Sequence, residues 1–292
     1  MGFKKLTLDC IETLAPFFED NSCRICDCTV GGTFMWRDYH RTEYMVDGDI
    51  LYLKVDHPTP AFAPPRGKAV GREPYERILE HCGASGIAPL LCAVSKSTLA
   101  RILEMFPDSR AWSDRAWSDY LYLSEDIINL AGRKFSGQRN HINRFMREYP
   151  DWSFESINQE NSARAREFVE KFAQEYDRIS PTYVEASQKV LEVLDNPELY
   201  KQFGGMLCVK GAIVGISLGE KVEDTLFVHA EKADTAYHGS YPMLMNQFAR
   251  MFALNRAAYI NREEDDGIEG LRTSKLSYHP AALLDKYMVM LK

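Results

Sequence analysis

The stretch GMLCVKGAIVGISLGEKVEDTLFVHA, residues 205–230, decides the fold of the second half of this chain. Its apolar runs predict three strands over 205–210, 212–220 and 225–230, because each run has strand length and is bounded by turn residues. Lys210-Gly211 and Glu223-Asp224 are the turn signals between them. We therefore predict an antiparallel meander of three strands.

The segments around this meander alternate between strand and helix patterns. In the first half, strands over 49–55, 88–94 and 120–123 are separated by helices over 74–82 and from Ser95 to Phe106. This alternation predicts an α+β fold in which mixed sheets are flanked by helices. The remaining predicted elements are a helix that begins at Ser124 and is ended by Gly132, strand 152–157, helices 162–176 and 183–194, a helix from Pro242, strand 257–260, helix 267–276 and strand 287–291.

The length of 292 residues indicates two domains, at roughly 150 residues per domain. A basic helix beginning near Gln138 has apolar residues at Ile142, Phe145, Met146 and Tyr149, which lie on one helical face. Pro150 ends this helix, so we place the domain boundary beside it. The expected organisation is a first domain over 1–132, a basic connecting helix over 133–150 and a second domain over 151–292.

The charge is unevenly distributed along the chain. A net charge of −7 excludes a uniformly basic surface of the kind that coats nucleic acid. Residues 131–149, however, hold five bases and one acid, whereas residues 151–200 hold 11 acids and five bases. The basic segment is either a phosphate-contacting strip for RNA or a solvated helix face paired with the acidic segment. The candidate RNA-binding residues are Arg133, Lys134, Arg139, Asn140 and Arg144.

Neither the apolar segments nor the cysteines indicate a membrane or a secreted protein. The longest uncharged apolar stretch, 82–94, is much shorter than the ~20 residues of a membrane helix, and no signal peptide is evident. We therefore expect a cytoplasmic protein without a transmembrane segment. Cys23, Cys26 and Cys28 form C-x2-C-x-C without the other ligands of a tetrahedral zinc site, so we predict no metal and reduced thiols.

Several longer motifs point to one family. They are NREEDDGIEGLR at 261–272, KLSYHP at 275–280, KFSGQRNHINRF at 134–145, HAEKAD at 229–234, YHGSY at 237–241 and Trp36-Arg37. Together they resemble the phosphatidylglycerol lysyltransferase C-terminal-like family over roughly residues 22–287. The order of elements is similar to the Gcn5-related N-acetyltransferase (GNAT) fold. The resemblance implies two GNAT-like domains in tandem, of the acyl-CoA N-acyltransferase type, each a mixed twisted sheet flanked by helices.

The resemblance also implies an activity. The best-known members of this family move an amino acid from aminoacyl-tRNA to a lipid, so the implied function is an acyltransferase acting on a lipid, peptide or small-molecule acceptor. The implied partners are the acceptor arm of tRNA and an amine- or hydroxyl-bearing acceptor, and peripheral membrane association is compatible with a lipid acceptor. This chain has no integral-membrane domain of the kind the best-known members carry, which weighs against a lipid.

Coenzyme A is the less favoured donor. Acetyltransferases hold its pyrophosphate in a Q/R-x-x-G-x-G/A loop at a helix N-terminus. Alignment on Gly239 places Ala236 and Tyr241 at the first and last positions of that motif. Aminoacyl-tRNA is therefore the expected co-substrate, and no cofactor is predicted with certainty. A coenzyme A-dependent N-acetyltransferase and a non-catalytic binding or regulatory protein with the GNAT fold stay as alternatives.

The resemblance and the residue types give the candidate site. Proton transfer in acyl transfer needs a base, which a carboxylate or an imidazole supplies. The catalytic candidates are Glu263, Asp265 and His279. The substrate-binding candidates are Glu231, Lys232, Tyr237, Gly239, Tyr241, Asn261, Arg262, Arg272, Lys275 and Tyr278.

Overall fold

The computed structural model describes residues 2–20, 22–176 and 181–292. In the first part of the chain the elements are β1 (Lys4–Lys5), α1 (Ile11–Leu14), α2 (Val30–Met35), β2 (Glu43–Asp47), β3 (Ile50–Val55), β4 (Ala61–Phe62), α3 (Glu73–Ser85), β5 (Leu90–Ser95), α4 (Lys96–Met105) and β6 (Arg110–Ser113). In the second part they are β7 (Asp119–Leu123), α5 (Ser124–Asn129), α6 (Ser136–Glu148), β8 (Trp152–Ser156), α7 (Ser162–Tyr176), α8 (Pro181–Asp195), α9 (Pro197–Tyr200), β9 (Phe203–Val209), β10 (Ala212–Val222), β11 (Thr225–Ala233), α10 (Ser240–Phe252), β12 (Tyr259–Asn261), α11 (Glu269–Leu276), β13 (Ala282–Leu284) and β14 (Lys286–Met290).

The chain folds into two units whose boundaries differ from the expected ranges. Unit 1 comprises Met1–Asp119, Glu264–Ile268 and Leu283–Lys292, and unit 2 comprises Tyr120–Glu263 and Glu269–Ala282. The basic helix α6 therefore belongs to unit 2, and the C-terminal strand belongs to unit 1. The difference arises because a unit is defined by contacts between distant segments, which no local composition change marks.

Unit 1 is built on one mixed sheet in the order β1-β2-β3-β4-β5-β14-β6. Its last strand, β14, lies between β5 and β6 and is antiparallel to both. The sequence predicts this strand but assigns it to the second domain, which is a correction. Helices α3 and α4 pack on the sheet around Ile78, Leu91 and Ile102, which are fully buried. Ser95 begins α4 as predicted, since its hydroxyl accepts a hydrogen bond from the Thr98 amide at 3.2 Å.

Unit 2 contains the predicted meander. Its sheet runs β7-β12-β11-β10-β9-β8, with β13 at the outer edge beside β7. The β9–β10 turn at Lys210-Gly211 has positive φ at both residues, as the turn type predicted for a two-residue hairpin requires. Strand β12 is parallel to β11, and antiparallel pairing joins β8 to β9, β9 to β10 and β10 to β11. The three-strand meander predicted from residues 205–230 is therefore confirmed.

Helices α5, α6 and α10 cover this sheet. Phe145 of α6 and Phe248 of α10 are fully buried in the same hydrophobic core. Met146, which is predicted on the apolar face of α6, is 38% exposed, so this face is only partly covered at Met146. Gly239 precedes α10 with a φ of +85°, and a Cβ atom there would lie 2.5 Å from the His141 carbonyl oxygen. Only glycine fits this close approach between α6 and the start of α10.

Candidate active site

A group of polar side chains lies on β10, on β11 and in the segment after β12 of unit 2. Ser217 of β10 is directly opposite Glu231 of β11 in the antiparallel ladder, so their side chains share one face of the sheet. The β10–β11 register shifts between Leu218 and Gly219, so His229 lies at a bulge in β11, and its ring contacts Glu220 and Glu263. Arg262 and Glu263 follow β12 and contact the β11 side chains. We call Ser217, Glu220, His229, Glu231, Arg262 and Glu263 the unit 2 polar cluster.

Arg262 and Glu231 form a buried ion pair in this cluster. Nε and Nη2 of Arg262 both donate to Oε2 of Glu231, at 3.0 and 2.6 Å. The guanidinium also lies 5.0 Å from the ring centre of Tyr278, an attractive cation–π arrangement. The Arg262 and Glu231 side chains are 8% and 12% exposed, so both charges are largely shielded from solvent. Charge-assisted hydrogen bonds in such surroundings fix the geometry of both groups.

The same ion pair leaves hydrogen-bonding capacity unused. Within the residues that the structure describes, Nη1 of Arg262, Oε1 of Glu231 and the Ser217 hydroxyl are buried without a hydrogen-bond partner. A buried polar atom left unpaired costs about 1–3 kcal/mol, so native proteins retain few of them. One donor, one acceptor and one hydroxyl in neighbouring positions therefore indicate a site that a polar ligand completes.

His229 bridges two carboxylates. Its Nδ1 lies 2.7 Å from Oε1 of Glu263, and its Nε2 lies 2.8 Å from Oε1 of Glu220. Burial lowers the pKa of His229, but the hydrogen bonds to Glu220 and Glu263 outweigh it and raise the pKa to about 10. The ring is therefore a cation at neutral pH, and its role is to orient Glu263 rather than to accept a proton.

This pairing gives a prediction about pH. The His229 ring is expected to stay doubly protonated at pH 8 and to titrate near pH 10, which the ¹⁵N chemical shifts of its ring measure directly. Because the folded-state pKa is raised, this stabilisation is complete below about pH 6.5 and is lost as the pH rises towards 10. His229→Gln should lack that decline in unfolding free energy, whereas the exposed control His279→Gln should retain it. A neutral ring at pH 8 would contradict the arrangement.

The backbone around Glu263 is held from several sides. Its φ of +56° lies in the left-handed region, which is costly for a glutamate and is found at functional sites. The Glu263 amide donates to Oδ1 of Asn261 at 2.6 Å. Nζ of Lys275 donates to the carbonyl oxygens of Arg262 and Glu263, at 2.5 and 3.3 Å. These contacts hold the backbone of Glu263, and His229 contacts its carboxylate.

The three catalytic candidates occupy different surroundings. Glu263 belongs to the unit 2 polar cluster. Asp265 lies in unit 1, where Oδ1 accepts from the Gly267 amide at 2.9 Å and Oδ2 accepts from Arg115 at 3.4 Å. His279 is exposed, with Nε2 3.0 Å from the Lys134 carbonyl oxygen and its ring against Phe135. Their catalytic roles stay predictions, and Glu263 has the surroundings best suited to one.

The substrate-binding candidates lie in three kinds of surroundings. Glu231, Asn261, Arg262, Lys275 and Tyr278 lie together around the polar cluster. Lys232 instead contacts the Ser187 hydroxyl at 2.8 Å, and Arg272 is half-buried on α11. The others lie at the start of α10, where Tyr237 packs on Tyr149 and where Tyr241 and Gly239 contact the helical layer.

Most candidate RNA-binding side chains make contacts within unit 2. Lys134 pairs with Asp126 at 2.9 Å, and Arg144 pairs with Glu148 at 2.7 Å. Arg139 donates to the carbonyl oxygens of Leu130 and Gly132, where it caps the end of α5. Arg133 and Asn140 are exposed. RNA binding by this strip stays a prediction. In the structure, Lys134 and Arg144 pair with acids that lie close to them in the sequence.

A second group of charged side chains lies in unit 1 and is not predicted from the sequence. Nζ of Lys286 lies 2.7 Å from Asp27, 2.8 Å from Asp119 and 2.7 Å from Glu264 carboxylate oxygens, and 3.2 Å from Cys26 Sγ. Burial, with the neighbouring carboxylates, raises the pKa of Asp119 to about 7 although Lys286 opposes the shift. Cys26, Asp119 and Glu264 have the spacing of metal ligands, but the Lys286 ammonium supplies the cation among them.

Sequence reasoning misses Ser217, Glu220 and Lys286 as functional or paired groups. Ser217 and Glu220 lie inside a predicted strand, and their polar character gives no local sign of a partner. The register between β10 and β11 is the signal that could have found Ser217, since it places this residue opposite Glu231. No local pattern marks Lys286, because its partners lie far away in the chain.

Comparisons with known proteins identify the family and the fold. The model of the phosphatidylglycerol lysyltransferase C-terminal family matches residues 24–290. A conserved protein of unknown function from Bacteroides thetaiotaomicron is 32% identical, with a TM-score of 0.92 and full coverage of both chains. The C-terminal domain of a protein described as a lysylphosphatidylglycerol synthetase, from Agrobacterium fabrum, shares the fold at 13% identity and a TM-score of 0.70, covering 97% of this chain and 92% of that one.

A curated relative is also uncharacterised. It comes from Mycoplasmoides gallisepticum and is 27% identical over 178 residues. The match spans 59% of this chain and 56% of that protein, little more than half the relative's length. Both units have the architecture of GNAT-like domains in tandem, and the fold predicted from the sequence is confirmed.

Proposed function

Because the chain belongs to the phosphatidylglycerol lysyltransferase C-terminal family, we propose that it transfers an aminoacyl group from aminoacyl-tRNA to an amine- or hydroxyl-bearing acceptor. The observation that supports this most is the unused pair of polar atoms on Glu231 and Arg262. An aminoacyl ester presents a cationic α-ammonium group and a carbonyl oxygen close together. Oε1 of Glu231 accepts from the ammonium, and Nη1 of Arg262 donates to the carbonyl oxygen.

The chemistry requires few further groups. The acceptor attacks the ester carbonyl, the carbonyl oxygen gains negative charge, and the ribose hydroxyl of the tRNA leaves. Arg262 stabilises that developing charge, because Glu231 and Tyr278 already hold its guanidinium group in position. Glu263 takes the proton from the acceptor and returns it to the leaving ribose oxygen, and His229 holds its carboxylate in place. The ester is already activated, so alignment supplies much of the rate.

The start of α10 favours aminoacyl-tRNA over coenzyme A. In acetyltransferases the pyrophosphate binds to free amides at this kind of helix N-terminus. Here the His141 carbonyl oxygen faces Gly239 so closely that a Cβ atom would lie 2.5 Å from it. This close approach of α6 to Gly239 leaves little room for a diphosphate at the start of α10. The transfer of an amino acid from a tRNA also places the proposed reaction in the cytoplasm.

The test uses the whole chain and bulk tRNA charged with ¹⁴C-labelled amino acids. We expect the protein to retain charged tRNA on a filter more strongly than deacylated tRNA, and to accelerate loss of label when amines or vesicles containing phosphatidylglycerol are added. A shift of the melting temperature by 1 mM acetyl-coenzyme A, on the order of several degrees, would instead support the acetyltransferase. If the protein neither retains charged tRNA nor accelerates the loss of label, the proposed transfer is refuted.

A further inference from the structure

Unit 1 contains a cavity of about 590 Å³, separate from the unit 2 polar cluster. This volume is typical of small-molecule sites. Arg66, Lys68 and Arg101 supply positive charge to its wall, and Ser95 and Ser97 supply hydroxyl groups. Asp20 and Asp49 also line it, so cations outnumber acids by one. The small excess of positive charge favours an anionic ligand over a cationic one.

Two cysteines face each other in this wall. Cys23 and Cys28 both line the cavity, and their Sγ atoms lie 3.7 Å apart. A disulfide bond of about 2.05 Å needs the two sulfur atoms to approach by roughly 1.6 Å, which side-chain rotation can supply. Arg24, with a φ of +57°, turns the chain between them. The first and last cysteines of the C-x2-C-x-C motif therefore form a dithiol pair.

The contact between the two sulfur atoms makes the pKa values of the thiols unequal, and it lies beside Arg66. Nη2 of Arg66 lies 3.4 Å from Cys28 Sγ and donates to the Asp27 carbonyl oxygen at 2.9 Å. When Cys23 loses its proton, the Cys28 thiol donates to it, and this contact, with Arg66 nearby, lowers the pKa of Cys23 to about 7. The same contact raises the pKa of Cys28. Cys23 is then the nucleophilic thiolate, and Cys28 holds the proton beside it.

Cys92, which precedes the lining residue Ala93, is chemically different. Burial raises the pKa of Cys92 to about 12, so its thiol stays protonated at physiological pH. Cys26, within the motif itself, faces Lys286 and the surrounding carboxylates, and burial raises its pKa. Geometry and charge therefore select the Cys23–Cys28 pair.

We propose that Cys23 and Cys28 form a thiol–disulfide exchange site for small anionic disulfides that enter the unit 1 cavity. The Cys23 thiolate attacks one sulfur of the ligand, forms a mixed disulfide and expels the first ligand thiolate, which takes up a proton. Cys28 then loses its proton and attacks Cys23 Sγ, which forms the protein disulfide and expels the second ligand thiol. The protein dithiol loses two electrons and two protons, and the ligand disulfide gains them.

The test exposes the folded full-length chain to oxidised glutathione at pH 7, followed by acid quenching and alkylation of the remaining thiols. We expect a product about 2 Da lighter than the reduced chain before alkylation, as loss of two hydrogens requires. Trypsin cleaves after Arg24, so a non-reducing digest should contain peptide 6–24 joined to peptide 25–37. Fragmentation of the joined peptides should place the bond between Cys23 and Cys28. The rate should fall about fivefold from pH 7 to pH 6, following the Cys23 thiolate fraction.

Matched variants separate this site from general thiol oxidation. The joined peptides should persist in Cys10→Ser, whose native thiol contacts the Thr7 hydroxyl at 3.3 Å, and should be absent in Cys23→Ser and Cys28→Ser. Cystamine, a cationic disulfide, should react more slowly than oxidised glutathione. A bond that persists in Cys28→Ser, a stable glutathione adduct without the internal bond, or equal rates with both disulfides would overturn the proposal. If a serine variant fails to fold, the fragmentation map of the native chain decides alone.

Discussion

Replacing Lys286 by methionine is expected to lower the free energy of unfolding by about 3–5 kcal/mol at pH 8, the cost of breaking a buried ion pair from one side. The Lys286 ammonium is within 2.8 Å of carboxylate oxygens from Asp27, Asp119 and Glu264. Its side chain is 7% exposed and Asp119 is fully buried. Methionine matches the length of lysine but leaves these carboxylates without a cation. Urea unfolding, monitored by circular dichroism, measures the loss.

The pH dependence identifies the cause of this loss. In the native protein the Asp119 pKa is already raised, to about 7, and removal of Lys286 raises it further. A carboxyl group with a raised folded-state pKa stabilises the fold below its unfolded pKa, and this contribution is lost as the pH rises through the folded pKa. The penalty of Lys286→Met should therefore be largest at pH 8 and smallest near pH 4.

The exposed Lys96→Met serves as the control and should change stability by less than about 0.5 kcal/mol. A loss below about 1 kcal/mol for Lys286→Met at pH 8, or one that is independent of pH, would show that the ammonium is not an essential partner of the three carboxylates.

Glu231→Gln is expected to lower kcat/KM for aminoacyl transfer about 100-fold, which corresponds to about 2.7 kcal/mol of transition-state stabilisation. Glutamine keeps the size of the side chain and one oxygen for Arg262, but it removes the negative charge that the α-ammonium group of the substrate needs. It also removes the charge that fixes the Arg262 guanidinium. Single-turnover loss of ¹⁴C-labelled amino acid from charged tRNA measures the effect.

Two controls show whether the lower kcat/KM arises from a lost contact with the aminoacyl group. Binding of deacylated tRNA should be unchanged in Glu231→Gln, since that RNA carries no ammonium group. The exposed Glu160→Gln should transfer at the native rate. A rate for Glu231→Gln within threefold of the native rate would exclude Glu231 from substrate binding, even if the chain proves to be an aminoacyltransferase.

Local signals predict most elements but not their partners. The helix over 162–176 and the 205–230 meander follow from periodicity and turn residues, both of which act between neighbours in the chain. Strand β14 is predicted from its apolar run, whereas its position between β5 and β6 joins segments from opposite ends of the sequence. The basic strip is visible in the sequence, but the pairing of Lys134 with Asp126 is not.

The candidate site divides in the same way. Glu231, Arg262 and Glu263 are predicted from motifs, because residue type and the family resemblance suffice to select them. The unused atoms of the Glu231–Arg262 pair, the carboxylates on both sides of His229 and the Cys23–Cys28 contact depend on distances of a few ångströms. The sequence by itself therefore determined the family, the tandem GNAT-like fold and the chemical types at the site. The tertiary structure decided which groups are paired, charged or unsatisfied, because hydrogen bonds and burial act between residues that only the folded chain brings together.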